Sequence, residues 1–351
     1  MRRFTGMAIA GLIILAWSAG CERVEESAGP VKAADTTGAM AGAGPAKPLV
    51  IGVAFDTLQT EYWVASIHTI EAALKRHDAR MLQAIAYGDV TKQHEQVRNF
   101  IAQKVDGIII APNNKKTVVR MIKDCNEAGI PVVLYNRPPE ESDAQSVTVV
   151  ADNYEITKDT VTFMCEQARK SGRTYKAMIL VGDLGDENAI GRRDGFEDAV
   201  KPFADIVTVV ARVPTEWDQG KAMNGVTNAF SKDPDINFIF SCSDFLLPSV
   251  ISALEKENRY KKIGEEGHVI LGGFDGDATA YRMLKEGYLD ADGVQDMTFE
   301  SEQAVQAILD LKAGKEVAPR IFDKGFVIHQ GNLDQAAARM WGAQIAPQGA
   351  P

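Results

Sequence analysis

The sequence has few of the residues and motifs that mark disulfide-rich, metal-binding or nucleic-acid-binding proteins. Its 351 residues include only four cysteines, and no CxxC pair indicates a zinc site or a disulfide framework. The formal net charge is −10 and no Lys/Arg cluster occurs, which excludes a basic face for binding phosphates. The five histidines are scattered and form no HExxH motif, so we expect neither a metal nor a cofactor.

Motifs of common enzymes are also scarce. No GxGxxG follows a strand, and neither GxxxxGKS/T nor GxSxG occurs. One enzymatic pattern is present, Asp275-Gly276-Asp277-Ala278-Thr279, which matches the DxDxT of haloacid-dehalogenase-like phosphatases, where the first Asp is a nucleophile and the second an acid/base. Because only about 75 residues follow it for the remaining catalytic groups, we expect no enzyme.

The longest apolar run lies near the N-terminus and is short. Arg2 and Arg3 precede the run from Met7 to Ala19, about 13 residues where a membrane-spanning helix needs ~20. This predicts a signal peptide over residues 1–20 and an exported protein, in the periplasm or at the cell surface.

The segment after the apolar run predicts a tether. Ser18-Ala19-Gly20-Cys21 resembles the lipobox of bacterial lipoproteins, which predicts lipidation of Cys21. Ser18 stands where that motif usually has Leu, so ordinary signal cleavage nearby is the alternative. Residues 21–47 are rich in Ala, Gly, Thr and Ser and lack apolar periodicity, so we expect a flexible tether and no other contact with the membrane.

From Pro48 onward, short runs of Val, Ile and Leu alternate with segments of helical period, which predicts parallel sheets with helices on both faces. The pattern forms one doubly wound lobe and then restarts to form a second. Cys125 and Cys165 lie in apolar stripes of predicted helices, so with Cys242 we expect buried thiols, although export would permit one disulfide. The predicted strands are 49–55, 81–86, 107–111, 131–135 and 147–150, then 177–181, 206–211, 236–240 and 269–274.

Polar side chains follow most of the predicted strands, several of them beside an aromatic residue. In such sheets the loops after the strands form the ligand crevice. Carboxylates and amides accept hydrogen bonds from hydroxyls, arginine spans two oxygens, and aromatic faces cover the C–H surface of a sugar ring. The pattern therefore predicts a crevice for a small polar ligand such as a sugar.

Motifs in a fixed order extend the prediction to a family. From Pro48 to the C-terminus, about 300 residues, the chain resembles the periplasmic sugar-binding proteins of the ribose and galactose type. The residues that carry the resemblance are Val53-Ala54-Phe55-Asp56, Thr60-Glu61-Tyr62-Trp63, Val105 to Pro112, Gly129 to Val133 with Asn136-Arg137, Asp152-Asn153, Arg192 to Phe196, Trp217-Asp218, Ser243-Asp244, Gly273 to Gly276, and Gln295.

The resemblance implies a type I periplasmic binding protein, two doubly wound parallel-sheet lobes joined by a three-stranded hinge. It places the hinge crossings near residues 151–152, 295–296 and 323–324. The N-terminal lobe would comprise residues 48–151 plus 296–323, the C-terminal lobe residues 152–295 plus 324–346, and residues 347–351 would be a tail. The implied function is to capture a monosaccharide or related polyol and deliver it to an ABC permease in the inner membrane.

The resemblance also implies roles for individual residues. Tyr62 and Trp63 would form one ring-stacking wall and Trp217 the facing wall. Further polar contacts to the ligand would come from Asp56, Thr60, Asn136, Arg137, Asn188, Arg192, Ser243, Asp275 and Gln295. Ala111, Ile190 and Ser243 depart from the family's usual residues, which leaves the identity of the sugar open.

Two other binding roles use the same fold. A tethered receptor could report its ligand to a chemoreceptor or sensor kinase, and nothing in the sequence separates that role from uptake. A transcriptional regulator is disfavoured, because the predicted signal segment occupies the place of a DNA-binding domain.

Overall fold

The computed structural model describes residues 47–345. The predicted signal peptide, Cys21, the tether up to residue 46 and residues 346–351 lie outside the described residues. None of the helices within residues 47–345 combines the length and apolar character that crossing a bilayer requires.

Two six-stranded sheets, each covered by helices, form two lobes. The elements of the first half are β1 (Leu49–Phe55), α1 (Glu61–Arg76), β2 (Ala79–Ile85), α2 (Val90–Ala102), β3 (Gly107–Ala111), α3 (Val118–Glu127), β4 (Val132–Tyr135) and β5 (Val147–Ala151). Then follow α4 (Asn153–Lys170), β6 (Tyr175–Val181), α5 (Glu187–Val200), β7 (Val207–Pro214), α6 (Gln219–Lys232), β8 (Phe238–Ser241), α7 (Leu247–Lys256), β9 (Ile270–Asp275), α8 (Ala278–Glu286) and β10 (Ala291–Val294). The last elements are α9 (Met297–Lys312), β11 (Arg320–Asp323), β12 (Phe326–His329), α10 (Leu333–Ala336) and α11 (Trp341–Ile345).

Both sheets have the same strand order, which places a crevice at the same edge of each lobe. The first sheet runs β11-β5-β4-β3-β1-β2 and the second β12-β10-β9-β8-β6-β7. In each, the order reverses beside the first strand of the lobe, β1 or β6. Ligands of doubly wound sheets bind at such a reversal, outside the carboxyl ends of the strands.

The sequence pattern predicted the α/β architecture and most strands, but not the end of the second sheet. Strands β10, β11 and β12 were not predicted, since each has only four residues and each includes a charged or ionisable residue, or Gly, in place of a continuous apolar run. The second sheet is also not wholly parallel, because β12 pairs antiparallel with β10. Cys125, Cys165 and Cys242 are buried free thiols, as predicted.

Aspartates begin six of the helices within the described residues. In each, the carboxylate of the residue before the helix accepts a hydrogen bond from a backbone N–H of the first turn, the usual role of an N-cap. These residues are Asp89, Asp152, Asp186, Asp218, Asp277 and Asp296. Many acidic residues that follow strands therefore serve the fold.

Asp323 ties together the three segments that pass between the sheets. Asp296 N donates to Asp323 Oδ2 at 2.6 Å, and Asp152 N donates to the backbone oxygen of Asp323 at 2.7 Å. Asp323 is buried, and this burial raises its pKa to about 6. One residue thus holds the start of α4, through its backbone, and the start of α9 and the β11–β12 connection, through its side chain.

Candidate functional site

A cavity of about 410 Å³ lies between the two lobes, and we call it the cleft cavity. Its volume falls within the range of small-molecule sites. All twelve residues singled out from the sequence as ligand contacts line it. Ligand contact itself remains a prediction for each of them: Asp56, Thr60, Tyr62, Trp63, Asn136, Arg137, Asn188, Arg192, Trp217, Ser243, Asp275 and Gln295.

Asp275 and Arg192 form a buried ion pair in the floor of the cleft cavity. Arg192 Nη1 lies 2.9 Å from Asp275 Oδ1, and the same oxygen accepts from Gln295 Nε2 at 2.8 Å. Ser243 Oγ donates to the other carboxylate oxygen at 2.5 Å. Burial dominates and raises the pKa of Asp275, while the guanidinium of Arg192 opposes the shift by favouring the charged form.

The backbone at Asp275 adopts an unusual conformation, with a φ of 135°. Non-glycine residues rarely occupy this region, and such strain persists only where the surroundings enforce it. Trp341 Nε1 donates to the backbone oxygen of Asp275 at 2.7 Å, and Gly342 N donates to that of Gly276 at 2.9 Å. Helix α11 therefore holds this carboxylate in place, a role that the sequence did not reveal because Trp341 lies far from Asp275 along the chain.

A ring of side-chain hydrogen bonds connects the lobes behind the cavity. Asn188 Nδ2 donates to Asn136 Oδ1 at 2.9 Å, which joins a residue that follows β4 to one on α5. Asn153 and Arg192 continue the ring to Asp275, and Gln295 closes it, accepting from Asn136 Nδ2 at 3.2 Å. Each polar group in this buried ring is therefore oriented before a ligand arrives.

Two tryptophans face the cavity from opposite lobes. Trp63 packs its edge against Phe55 with ring centroids 5.8 Å apart, and the guanidinium of Arg137 lies 4.9 Å from the Trp63 ring. Trp217 lies against Gly182, where an added Cβ would be 2.2 Å from the indole. Gly182 thus makes room for the Trp217 ring at the cavity.

The hydroxyl group of Tyr62 makes two buried hydrogen bonds, so this residue does more than offer a ring for stacking. Its hydroxyl donates to Glu300 Oε2 at 2.8 Å and accepts from Asn136 Nδ2 at 2.8 Å. Glu300 is fully buried, and this burial raises its pKa well above the ordinary value. Glu300 was not predicted, because it lies on a helix without a motif that points to the cavity, and Asn153 was noted in the Asp152-Asn153 motif but not predicted as a ligand contact.

Further residues line the cavity that the sequence did not single out. Tyr87 and Phe245 bring additional aromatic surface, and Asp186, Glu216 and Asp218 bring carboxylates. Thr57, Gln59 and Gly88 complete the set. The available signals were the position of Phe245 directly after Ser243-Asp244, the Trp217-Asp218 motif, and the position of Thr57 and Gln59 between Asp56 and Thr60.

The family assignment rests on a match along most of the chain. Residues 51–316 match the family described as "Periplasmic binding protein domain". The chain belongs to this family.

Curated members of the periplasmic binding protein family match at modest identity over most of their length. The ribose import binding protein of Bacillus subtilis is 26% identical over 278 residues, which cover 79% of this chain and 86% of that protein. A putative rhizopine-binding protein of Rhizobium meliloti is 27% identical over 253 residues, covering 71% of this chain and 79% of that protein.

Solved structures of family members share the fold. A periplasmic solute-binding protein of Actinobacillus succinogenes with bound D-allose gives a TM-score of 0.73 at 23% identity, covering 82% of this chain and 99% of the other. A solute-binding protein of Bacillus halodurans with bound myo-inositol gives 0.71 at 24% identity, covering 84% and 99%. The chain therefore has the two-lobe α/β fold of the family.

The phosphatase alternative finds no support at Asp275 and Asp277. Asp275 is paired with Arg192, and Asp277 Oδ1 accepts from Ala280 N at 2.8 Å as the N-cap of α8. Among residues 47–345, no group of three or more His, Cys, Asp or Glu side chains could hold a metal ion. The carboxylates of the DxDxT pattern thus serve the cleft of a binding protein and the start of a helix.

Two buried carboxyl groups, of Asp244 and Asp292, lie beneath the floor. A Cβ placed on Gly273 would lie 2.2 Å from Asp244 Oδ1 and 2.8 Å from Asp292 Oδ1, so both oxygens lie close to that glycine. Neither oxygen has a hydrogen-bond partner within the described residues. Burial, then the charge of Asp275, raises the pKa of Asp244 to about 7, and burial, then Asp244, raises the pKa of Asp292 well above the ordinary value.

We expect the folded chain to become more stable as the pH falls from about 8 to about 5. The folded state holds protons on Asp244 and Asp292 at pH values where the unfolded chain has lost them, so lowering the pH favours folding. This contribution is complete below the unfolded pKa and is lost as the pH rises through the folded pKa. It changes the free energy of unfolding by up to about 1.4 kcal/mol per group and pH unit. Urea midpoints between pH 5 and pH 8 measure it.

Replacing Asp244 with Asn should flatten this dependence, while Asp310→Asn should leave it unchanged. Asp310 is a suitable control because Lys315 lowers its pKa, so it titrates below this range. The raised pKa values of His268, Asp323 and several other buried carboxyl groups act in the same direction as that of Asp244, so the variant should keep part of the dependence. The lowered pKa of His329 acts against it. A midpoint that rises steadily from pH 5 to pH 8 contradicts the raised pKa values of the buried carboxyl groups.

Proposed function

We propose that this chain captures a monosaccharide or related polyol between its lobes and delivers it to an ABC-type importer, without catalysing a reaction. The observation that carries the proposal is the composition of the cleft cavity, in which residues from both lobes combine two tryptophans, two arginines, and several amides and carboxylates. Such a lining matches a ring with hydroxyls at its edge and C–H groups on its faces.

The polar groups in the floor suit hydroxyls rather than a carboxylate or phosphate. Asp275 accepts three side-chain hydrogen bonds, and its partners Arg192, Gln295 and Ser243 all line the cavity. A hydroxyl can donate to a carboxylate and accept from a guanidinium at the same time, whereas an anion would meet repulsion from Asp56, Asp186 and Asp275. Ribose, imported with the Bacillus subtilis relative, and D-allose and myo-inositol, bound in the two solved structures, share this hydroxyl chemistry.

We propose that the ligand shifts the lobes toward a closed state about the three crossings. The lobes would move as residues 48–151 plus 296–323 and residues 152–295 plus 324–346. Because the twelve predicted contacts belong to both lobes, a ligand held by all of them favours the state in which the lobes are near. We further propose that Cys21 is the lipid attachment site of an exported, tethered protein.

A thermal-shift screen of the full chain against pentoses, hexoses, inositols, nucleosides and amino acids tests the proposed function. A ligand at 100 times its Kd should stabilise the folded state by about 2.7 kcal/mol, a shift of a few degrees. At least one sugar or inositol should give this shift. A response restricted to amino acids or nucleosides, or none at all, contradicts the proposal.

Copurification distinguishes uptake from signalling. We expect the sugar-loaded chain to retain an ABC permease in a pull-down from its own membranes, and the sugar-free chain to retain less. Retention of a chemoreceptor or sensor kinase without a permease would instead favour the sensor role.

A further inference from the structure

A second cavity of about 220 Å³ lies beside the cleft cavity, and we call it the side cavity. The two cavities share the lining residues Gln59, Thr60, Tyr62, Phe245 and Asp275, so they are direct neighbours. The side cavity lies between the start of α1 in the first lobe and the start of α8 in the second.

The charges of the two cavities differ. The side cavity is lined by the four carboxyl groups of Glu61, Asp244, Asp275 and Asp277, and no Lys, Arg or His lines it. In the cleft cavity, by contrast, Arg137 lies 3.6 Å from Asp56 and 3.8 Å from Asp186, and Lys221 pairs with Glu216. Three carboxylates of the cleft cavity, Asp56, Asp186 and Glu216, thus have cationic neighbours, whereas among the carboxyl groups of the side cavity only Asp275 has one, Arg192.

Among the carboxylates that line the side cavity, Asp277 has an oxygen without a hydrogen-bond partner in the described residues. The residue is 8% exposed, and its Oδ1 accepts from Ala280 N at 2.8 Å. Oδ2 makes no hydrogen bond to any of residues 47–345, and since Asp277 lines the cavity, this oxygen faces it. Burial, then the charge of Asp244, raises the pKa of Asp277, as expected for a carboxylate that lacks a cationic neighbour.

Aromatic surface adds to the attraction for a cation. Tyr62, Phe245 and Trp341 all line the side cavity, and the rings of Tyr62 and Trp341 meet edge to face at 6.2 Å. Aromatic faces and carboxylates together recognise ammonium groups. A metal ion fits less well, because no carboxylate cluster within the described residues has an arrangement that could coordinate one.

We propose that the side cavity receives a positively charged amino group of the ligand, so that the preferred ligand is an amino sugar or aminocyclitol. This inference rests on the proposed function and narrows its ligand class. The hydroxyls would occupy the cleft cavity and the ammonium group would donate to Asp277 Oδ2. Glu61, which also lines the side cavity, would add attraction from the start of α1.

Calorimetric titration of the full chain with matched ligands tests the inference. The pairs are glucosamine with glucose, galactosamine with galactose, and an aminocyclitol with myo-inositol, and N-acetylglucosamine serves as an uncharged analogue. At least one amine should bind tenfold or more tightly than its hydroxyl partner. That preference should disappear on N-acetylation and weaken as the pH passes the pKa of the amine.

Asp277→Asn locates the interaction. Asparagine keeps the size of the side chain and its ability to cap α8, so the fold should persist. The variant should lose the preference for the amine about tenfold while binding the hydroxyl sugar within about twofold. Asp89→Asn, which changes the N-cap of α2 outside both cavities, should alter neither affinity. Glu61→Gln, at an exposed position, gives a second variant with a smaller expected loss.

The outcomes separate the two proposals. If neutral sugars bind and no amine binds more tightly than its partner, the side-cavity inference is wrong and the proposed function stands. If no sugar of either kind binds, the proposed function itself fails. A preference for the amine that persists in Asp277→Asn places the ammonium group elsewhere and overturns the assignment.

Discussion

Replacing Arg192 with methionine should reduce sugar affinity at least about 100-fold and destabilise the folded chain by about 3–5 kcal/mol. The guanidinium neutralises Asp275, donates to Asn153 Oδ1 and to the backbone oxygen of Cys242, both at 2.7 Å, and stacks 3.8 Å from the Phe274 ring. Methionine can keep part of the packing but none of the charge. Asp275 would then remain as a buried carboxylate without a cation, which is the costly outcome.

Two comparisons separate the charge from the packing. Arg192→Met combined with Asp275→Asn should recover part of the lost stability but not the affinity, because the buried charge is gone while both ligand contacts are missing. Arg193→Ala should change neither property by much, since Arg193 pairs locally with Asp194 at its side. Urea unfolding and calorimetric titration measure the two effects. A stable Arg192→Met variant with native affinity contradicts the assigned role.

The sequence predicted the architecture because each lobe is built from short apolar runs that alternate with segments of helical period, the pattern of parallel sheets covered by helices. Strand β3, Gly107–Ala111, is buried at every position, and its limits were predicted without error. Strand β11, Arg320–Asp323, is mostly exposed and pairs only at a sheet edge, so no apolar run marks it. Short edge strands depend on tertiary pairing, and their sequences carry little of that information.

The roles of the acidic residues at the site were harder to predict than the fold, for a physical reason. Asp56 and Asp275, which follow strands, were predicted as ligand contacts, whereas Asp186 and Asp277, in similar places, accept hydrogen bonds from backbone N–H groups at the starts of α5 and α8. Capping and ligand binding favour the same residue type at the same place, so the sequence alone cannot distinguish them. Contacts between segments that are distant along the chain decide which carboxylates keep an oxygen free to bind a ligand.

Local motifs did not predict the hydrogen bonds that hold the residues of the cleft cavity in their orientations. Tyr62 was predicted as a ring-stacking residue, yet its hydroxyl is fixed by Glu300, 238 residues away in the sequence. Trp341 likewise reaches Asp275 across 66 residues. Such contacts orient the residues that face the ligand, and a chain without them would present the same side chains in looser geometry.

Trp217→Ala should lower sugar affinity about 30-fold or more, because loss of a central aromatic contact costs about 2–4 kcal/mol. The backbone at Trp217 has a φ of 59°, which alanine must adopt as well, so the change removes the ring and leaves the loop strain as it was. Gly182→Ala should reproduce most of this loss, since the added Cβ would lie 2.2 Å from the indole and push it from its place. Tyr87→Ala is the matched control, because that ring also lines the cleft cavity but is 71% exposed, and we expect a loss of less than about threefold. Calorimetric titration with the sugar found in the screen measures all three variants. Equal losses of sugar affinity for Trp217→Ala and Tyr87→Ala would mean that the sugar ring does not stack on Trp217. A large loss that is confined to the Trp217 and Gly182 variants would show that the ligand contacts the Trp217 wall of the cleft cavity.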